Sequence, residues 1–193
     1  MPIIEYNGKK PQISENAYVS PNSVLIGDIE VQDNAVIWPG SYIRAENAQI
    51  RIGQYSTIFN NVALITRTHQ SPIIIGNFCI IETGVLIFGC VFADYIQVLA
   101  GTIIYEGASI GEGVIILENS QVPSGLTIQE RAIMKGIPVE KIREQSRNDL
   151  LKVKERAEHY SQMFIKIKNQ LPNIQSYVLT LSDFMKILID KIK

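Results

Sequence analysis

Aliphatic side chains recur along this chain at steps of six. Ile13, Val19, Leu25, Val31, Ile37 and Ile43 share one register. Ile52, Ile58 and Leu64 resume it, as do Ile75, Ile81 and Ile87, and then Phe92, Val98, Ile104, Ile110, Ile116, Val122, Ile128 and Met134. Four residues after most of these stands a small or branched residue: Ala17, Ser23, Ala35, Ser41, Ser56, Val62, Cys79, Val85, Val91, Thr102, Ala108, Val114, Ser120 and Ala132. Six residues make one short strand and a turn. Three such units close a triangular coil of about 18 residues, and each coil pairs its backbone with the next at about 4.8 Å. The aliphatic residue fills the interior and the small one sits at the tight bend. One coil cannot bury its own core, so stability must come from stacking. A sandwich or barrel would instead alternate in hydrophobicity and turn back every 8–12 residues or so. The pattern therefore predicts a mainly β chain: a parallel β-helix of about seven coils over residues 1–138.

The breaks in register are as informative as the register. Three extra residues lie between Ile43 and Ile52, and five between Leu64 and Ile75; both are expected to bulge out as loops. From Ile87 to Phe92 the step is five, a shortened corner. After Gly136-Ile137-Pro138 the repeat stops. Residues 139–193 form a helical segment expected to pack on the coil. Val139, Ile142, Leu150, Leu151, Val153, Ala157, Tyr160, Met163 and Phe164 have helical spacing, which predicts one long amphipathic helix over 139–169 after a short lead-in. Leu171-Pro172-Asn173 ends it. A short second helix is predicted from Ser182, with Phe184, Met185, Leu188, Ile189 and Ile192 on its apolar side.

Composition narrows the function classes. With 18 basic and 19 acidic residues the net charge is −1, and no basic stripe marks a nucleic-acid binder. No apolar run is long enough for a transmembrane helix, and Lys186, Lys191 and Lys193 are too few for a membrane-surface helix. Two cysteines, Cys79 and Cys90, make no disulfide framework, and a cytoplasmic protein is expected.

The opening IIEYNGKKPQISENAYVSPNSVLIGDIEVQDNAVIWPGSYIRAE, the five-residue corner at Ile87–Val91, the exit GIPVEKIRE and the helix segment EHYSQM together resemble the γ-class carbonic anhydrases and their relatives. The resemblance covers residues 1–170 or so. It implies a left-handed coil, although general topology favours right-handed crossovers, and a homotrimer. It also implies zinc or another divalent metal bound at the subunit interface by three histidines. The metal's open position would hold the water that it activates for carbonate dehydratase chemistry.

The three histidine positions of that family fall on Ile65, Thr83 and Phe88. Isoleucine and phenylalanine carry no donor atom, and a threonine hydroxyl is a poor zinc ligand. The family's Arg-Gly-Asp triplet reads Arg44-Ala45-Glu46. The Gln-Asp pair beside the metal reads Phe59-Asn60, and the helix tyrosine is Tyr160. Arg44 and Glu46 are expected to form an ion pair at the subunit interface, with a ligand or anion role as the alternative, and Tyr160 to pack in the core. Ile65, Phe59 and Phe88 are expected to replace a wet metal cleft with an apolar contact between subunits. The chain has two histidines, His69 in the inserted loop and His159 on the helix, which cannot supply a three-histidine site. No confident catalytic residue and no resident cofactor are expected.

Three functions follow. The first is a γ-carbonic-anhydrase-like protein without that activity, a trimeric scaffold that could also bind a protein partner through its C-terminal helix. The second is a hexapeptide acyltransferase with a coenzyme A donor, for which His69 is the available general base. The third is a carbonic anhydrase with a non-standard, cysteine-containing metal site.

Overall fold

The structure is a computed structural model that describes residues 2–69 and 71–170, for 164–170 the backbone alone. The second helix predicted from Ser182 lies outside the described residues. The described residues up to Gly136 wind as a parallel solenoid of about seven turns. Each turn contributes one core residue to each of three flat faces. On the first face Ile13 pairs with Val31, Val31 with Ile52 and Ile52 with Ile75; Phe92, Ile110 and Ile128 continue the column. The second face stacks Val19, Ile37, Ile58, Ile81, Val98, Ile116 and Met134. The third stacks Leu25, Ile43, Leu64, Ile87, Ile104 and Val122. Most of these side chains are fully buried, and one continuous cluster runs the length of the coil.

The pairing confirms the predicted breaks. Val31 to Ile52 is 21 residues, Ile52 to Ile75 is 23 and Ile81 to Val98 is 17, against 18 for Ile13 to Val31. Strands Val24–Val31 and Tyr42–Ile52 run unbroken around the corner between the third and first faces, so those two faces join into a 12-stranded sheet. Gly27 permits that corner. Its φ is +88°, and a Cβ there would lie 2.2 Å from the Ala45 carbonyl oxygen.

The structure corrects one detail of the repeat. Val91 is 45% exposed on the outside of the first face, and Cys90, 1% exposed, fills the bend. A five-residue corner moves the inward-facing position one residue earlier. Three turns hold aromatics in the left-handed backbone region that favours glycine or asparagine. Tyr55, Phe78 and Tyr95 all have φ between +55° and +59°, and their rings stack at 5.0 and 5.2 Å. Such φ values disfavour bulky residues by roughly 1–2 kcal/mol each. Aromatic stacking returns about 0.5–1.5 kcal/mol per pair.

The helix begins later than its spacing predicts. Val139–Glu144 is a strand, antiparallel to Ala132–Gly136, turned back by Gly136-Ile137-Pro138. It covers the last edge of the second face, which would otherwise offer unpaired backbone. Helix α1 (Arg147–Gln170) starts only after Ser146. The Asp149 amide donates to Ser146 Oγ at 3.2 Å, and Asp149 Oδ2 accepts from the Ser146 amide at 3.0 Å, a reciprocal cap. These bonds, with Arg143 nearby, hold the Asp149 carboxyl below the usual range.

From there α1 lies along the outer side of the second face. Val153 and Ala157 press on Ile80, all fully or almost fully buried, and Phe59, Phe78, Tyr95 and Tyr160 surround them. Arg156 pins the helix, donating to Gln97 Oε1 at 3.1 Å and to Glu82 Oε1 at 3.4 Å, while Gln97 Nε2 donates to Glu82 at 2.9 Å. An Ala157→Glu substitution would bury a carboxylate against Ile80. It is expected to lower unfolding free energy by about 2–4 kcal/mol in urea titration, by the mechanism of an unpaired buried charge. An effect near zero would mean that the helix is not docked there.

Candidate functional site

Strand pairing decides which candidate residues meet. Arg44 pairs with Ile65 and Ile65 with Phe88, so the three occupy neighbouring rungs of one outward column on the third face. Tyr105 continues the column; its ring lies 6.3 Å from that of Phe88. Two of the three positions that the resemblance assigns to the family's histidines are thus adjacent. The third, Thr83, is exposed on the turn between the second and third faces, in the same corner as Asn60, whose carbonyl accepts from the Gly84 amide at 3.1 Å. Asn60 Nδ2 donates to the Pro39 carbonyl at 3.3 Å, a bond that ties two turns together.

Within one chain the Phe59 ring stacks on Trp38 at 5.0 Å and meets the Tyr160 ring edge-on at 4.9 Å, under the chain's own helix. Tyr160 packs in that seam. Arg44 Nε lies 3.5 Å from Glu46 Oε2, the expected ion pair, but the geometry leaves that buried N–H without a hydrogen bond.

The five-residue insertion sits against this column. Thr66 takes the Arg44 carbonyl at 3.1 Å through its amide. Asn47 Nδ2 donates to the carbonyls of Thr66 and Arg67 at 3.3 and 3.2 Å. On the other side Glu106 accepts from Thr68 Oγ1 at 2.5 Å and is also bonded by Ser71. Those bonds, with the Arg67 charge, hold its carboxyl below the usual range. Arg67, so placed, lays its guanidinium 3.6 Å from the centre of the Phe88 ring. Phe88 is consequently 6% exposed within a single chain. Sequence reasoning missed Arg67; its position within the inserted loop was the available signal.

His69 Nδ1 lies 2.7 Å from the Asn47 carbonyl oxygen. That carbonyl can only accept, so Nδ1 carries the proton and, in the neutral ring, Nε2 holds the lone pair on an exposed loop. His159 is exposed on α1, its ring 6.0 Å from that of Tyr160. The two histidines belong to different parts of the fold.

The donor set does not fit a metal held as in the family. Ile65 and Phe88 supply no lone pair, and Phe88 is capped by a cation. Among the described residues no three His, Cys, Asp or Glu side chains gather around one point. Both thiols are buried in the coil; burial pushes Cys79 up to about 12 and Cys90 higher still. Thiols so raised stay protonated at neutral pH and are poor nucleophiles.

The comparisons with known proteins bring up both carbonic anhydrases and hexapeptide transferases. The model of the bacterial transferase hexapeptide family (six repeats) matches residues 10–45. A carbonic anhydrase of Geobacillus kaustophilus is 30% identical over 154 residues, 77% of this chain and 81% of that one. The chain belongs to the γ-carbonic-anhydrase-like family of hexapeptide-repeat proteins. The mitochondrial gamma carbonic anhydrase 2 of Arabidopsis thaliana, another relative, is 23% identical over 163 residues, 79% of this chain but 56% of that longer protein. Among solved structures, a Bacillus cereus protein described as an acetyltransferase superposes with a TM-score of 0.83 at 26% identity, over 87% of this chain and 97% of that one. No helix among the described residues is long and apolar enough to cross a membrane.

Two measurements check this geometry. Ellman's reagent is expected to leave both cysteines untouched in native protein and to titrate both in denaturant; rapid native labelling would contradict the burial. In acid, the bonds to Glu106 and Asp149 contribute stability above the ordinary carboxylate range and lose it as pH falls through their lowered folded values. The loop and the helix cap should therefore hold at pH 5 or so and loosen below about pH 4, followed by amide exchange at Thr68 and Ser146. Loosening already at pH 6 would count against those bonds.

Proposed function

We propose that this chain is a family member without carbonic anhydrase activity that works as a trimeric scaffold or binding subunit. One observation carries the reading. The column in which family members place two histidines on adjacent rungs here holds Ile65 and Phe88, and Arg67 covers the second. No group in that column can hold a metal or activate water.

The same face favours association. Val24, Tyr42, Ala63, Leu86 and Ile103 stand on its outer side, half-buried and apolar apart from one hydroxyl. Completing the burial of each aliphatic or aromatic side chain contributes up to about 1.5–3 kcal/mol. A strip of this kind on a rigid sheet suits a self-complementary subunit contact.

Light scattering of the intact protein at micromolar concentration is expected to give the mass of a trimer. Chelator-free protein is expected to carry far less than one zinc, iron or cobalt per chain and to leave carbon dioxide hydration at its spontaneous rate. Near-stoichiometric metal with catalysis, or a monomer, overturns the proposal.

A second reading, acyl transfer from a coenzyme A donor, has one observation in its favour, the orientation of His69 by the Asn47 carbonyl. A ring with Nδ1 so engaged presents Nε2 as a base. Coenzyme A that stabilises the protein in thermal shift, with the effect lost in His69→Ala, would favour it over the scaffold. No shift would remove it.

A further inference from the structure

Arg44 and Phe88 both pair with Ile65. Neighbouring strands stand about 4.8 Å apart, so roughly 10 Å of the third face separates Arg44 from Phe88, with Ile65 between them. A guanidinium belongs to each end. At one end Arg44 is about a third exposed, and its Nε has Glu46 at 3.5 Å but makes no hydrogen bond. At the other end the Arg67 guanidinium carbon lies over the Phe88 ring, 3.6 Å from its centre. Stacking uses the face of a guanidinium and leaves its N–H edge for an acceptor in the plane. Among the described residues that edge donates to no acceptor. Glu106, the carboxylate nearest to Arg67 in effect, is itself taken by Thr68 and Ser71.

We infer that this strip binds a small organic anion: an apolar body that rests on Ile65 and, above it, a carboxylate or phosphate head met by the guanidinium edges of Arg44 and Arg67. Guanidinium edges match both heads with paired hydrogen bonds. The half-buried Ile65 between them rewards an apolar body, which a bare inorganic anion lacks. Glu46 and Glu106 keep the strip from being a general anion sink. They flank the two arginines, so a ligand must present its charge between the acids rather than across the whole face. The inference rests on the proposed function in two ways: Ile65 and Phe88 stand where metal ligands would, and the strip shares the third face with the proposed subunit contact and stays open beside it. Metal content and light scattering on the same sample test that reading separately.

Four probes test it on the intact protein by calorimetry and thermal shift. Benzoate and phenyl phosphate carry the two heads on one apolar ring, benzamide is the uncharged counterpart, and inorganic phosphate has no apolar body. At least one of the first two is expected to bind saturably at one site per chain, and which of them binds identifies the head. Affinity should fall about tenfold or more in Arg67→Gln and in Arg44→Gln, the loss of one charged, paired contact. Benzamide and inorganic phosphate should bind much more weakly. Arg67 lies on the surface loop, so its variant keeps the coil intact even if Arg44→Gln does not. Saturation unchanged in Arg67→Gln, equal response to benzamide or inorganic phosphate, or no saturable binding of either organic anion at millimolar concentration overturns the inference.

Discussion

A six-residue turn has no core of its own, so each rung of this molecule depends on matching the width of the rungs above and below. That requirement runs through the whole structure. The interior column holds one aliphatic side chain per face with few exceptions, because a larger or smaller residue would disturb the backbone pairing at 4.8 Å or so on both sides. Insertions cannot widen a coil, and they leave its plane. Val31 therefore pairs with Ile52 and Ile52 with Ile75 as if the extra residues were absent. The shortened corner at Gly89 and Cys90 is the converse case. One residue fewer is accommodated by shifting which side chain faces inward, so that Cys90 is buried and Val91 is not.

The outward columns are under no such requirement, so their residues can vary while the fold persists. A different side chain at Ile65 or Phe88 would leave Leu64 and Ile87, the inward neighbours on the same strands, where they are. The coil does not register the change. What registers it is the solvent, because an aromatic ring on an exposed sheet face must be covered by something. Here the cover is partly internal: the inserted loop brings Arg67 across Phe88, and α1 closes over Phe59.

How much of this the sequence carries depends on whether a contact obeys the period. The core columns, the loop positions and the corner at Ile87–Val91 were legible because they are counts along the chain. The start of the helix was not. Val139 and Ile142 are three apart, which suits a helix, yet both lie in the hairpin strand; Ser146 and Asp149, three apart in the capping arrangement, mark the true beginning. The aromatic corner of Tyr55, Phe78 and Tyr95 was hidden for a different reason. Its residues stack only because successive turns superpose positions 23 and 17 apart, and their positive φ runs against what aromatics prefer. The left hand of the coil follows from family resemblance alone. The site was half legible. Its column follows from the register, whereas the approach of Arg67 follows from loop bonds made by Asn47 and Glu106, which no repeat encodes.

Those loop bonds give the insertion a role beyond interruption. Asn47 belongs to the first insertion and grips the second by two carbonyls, so the two irregular segments brace each other beside the column. Removing either one would release Arg67 from Phe88 and expose a ring on the face that is otherwise the most suited to association. A coil with Ile65 and Phe88 on this face but without these loops would present a bare apolar strip, a liability for uncontrolled contact. With them, the strip carries two guanidinium groups, and what approaches it must answer a charge as well as an apolar surface.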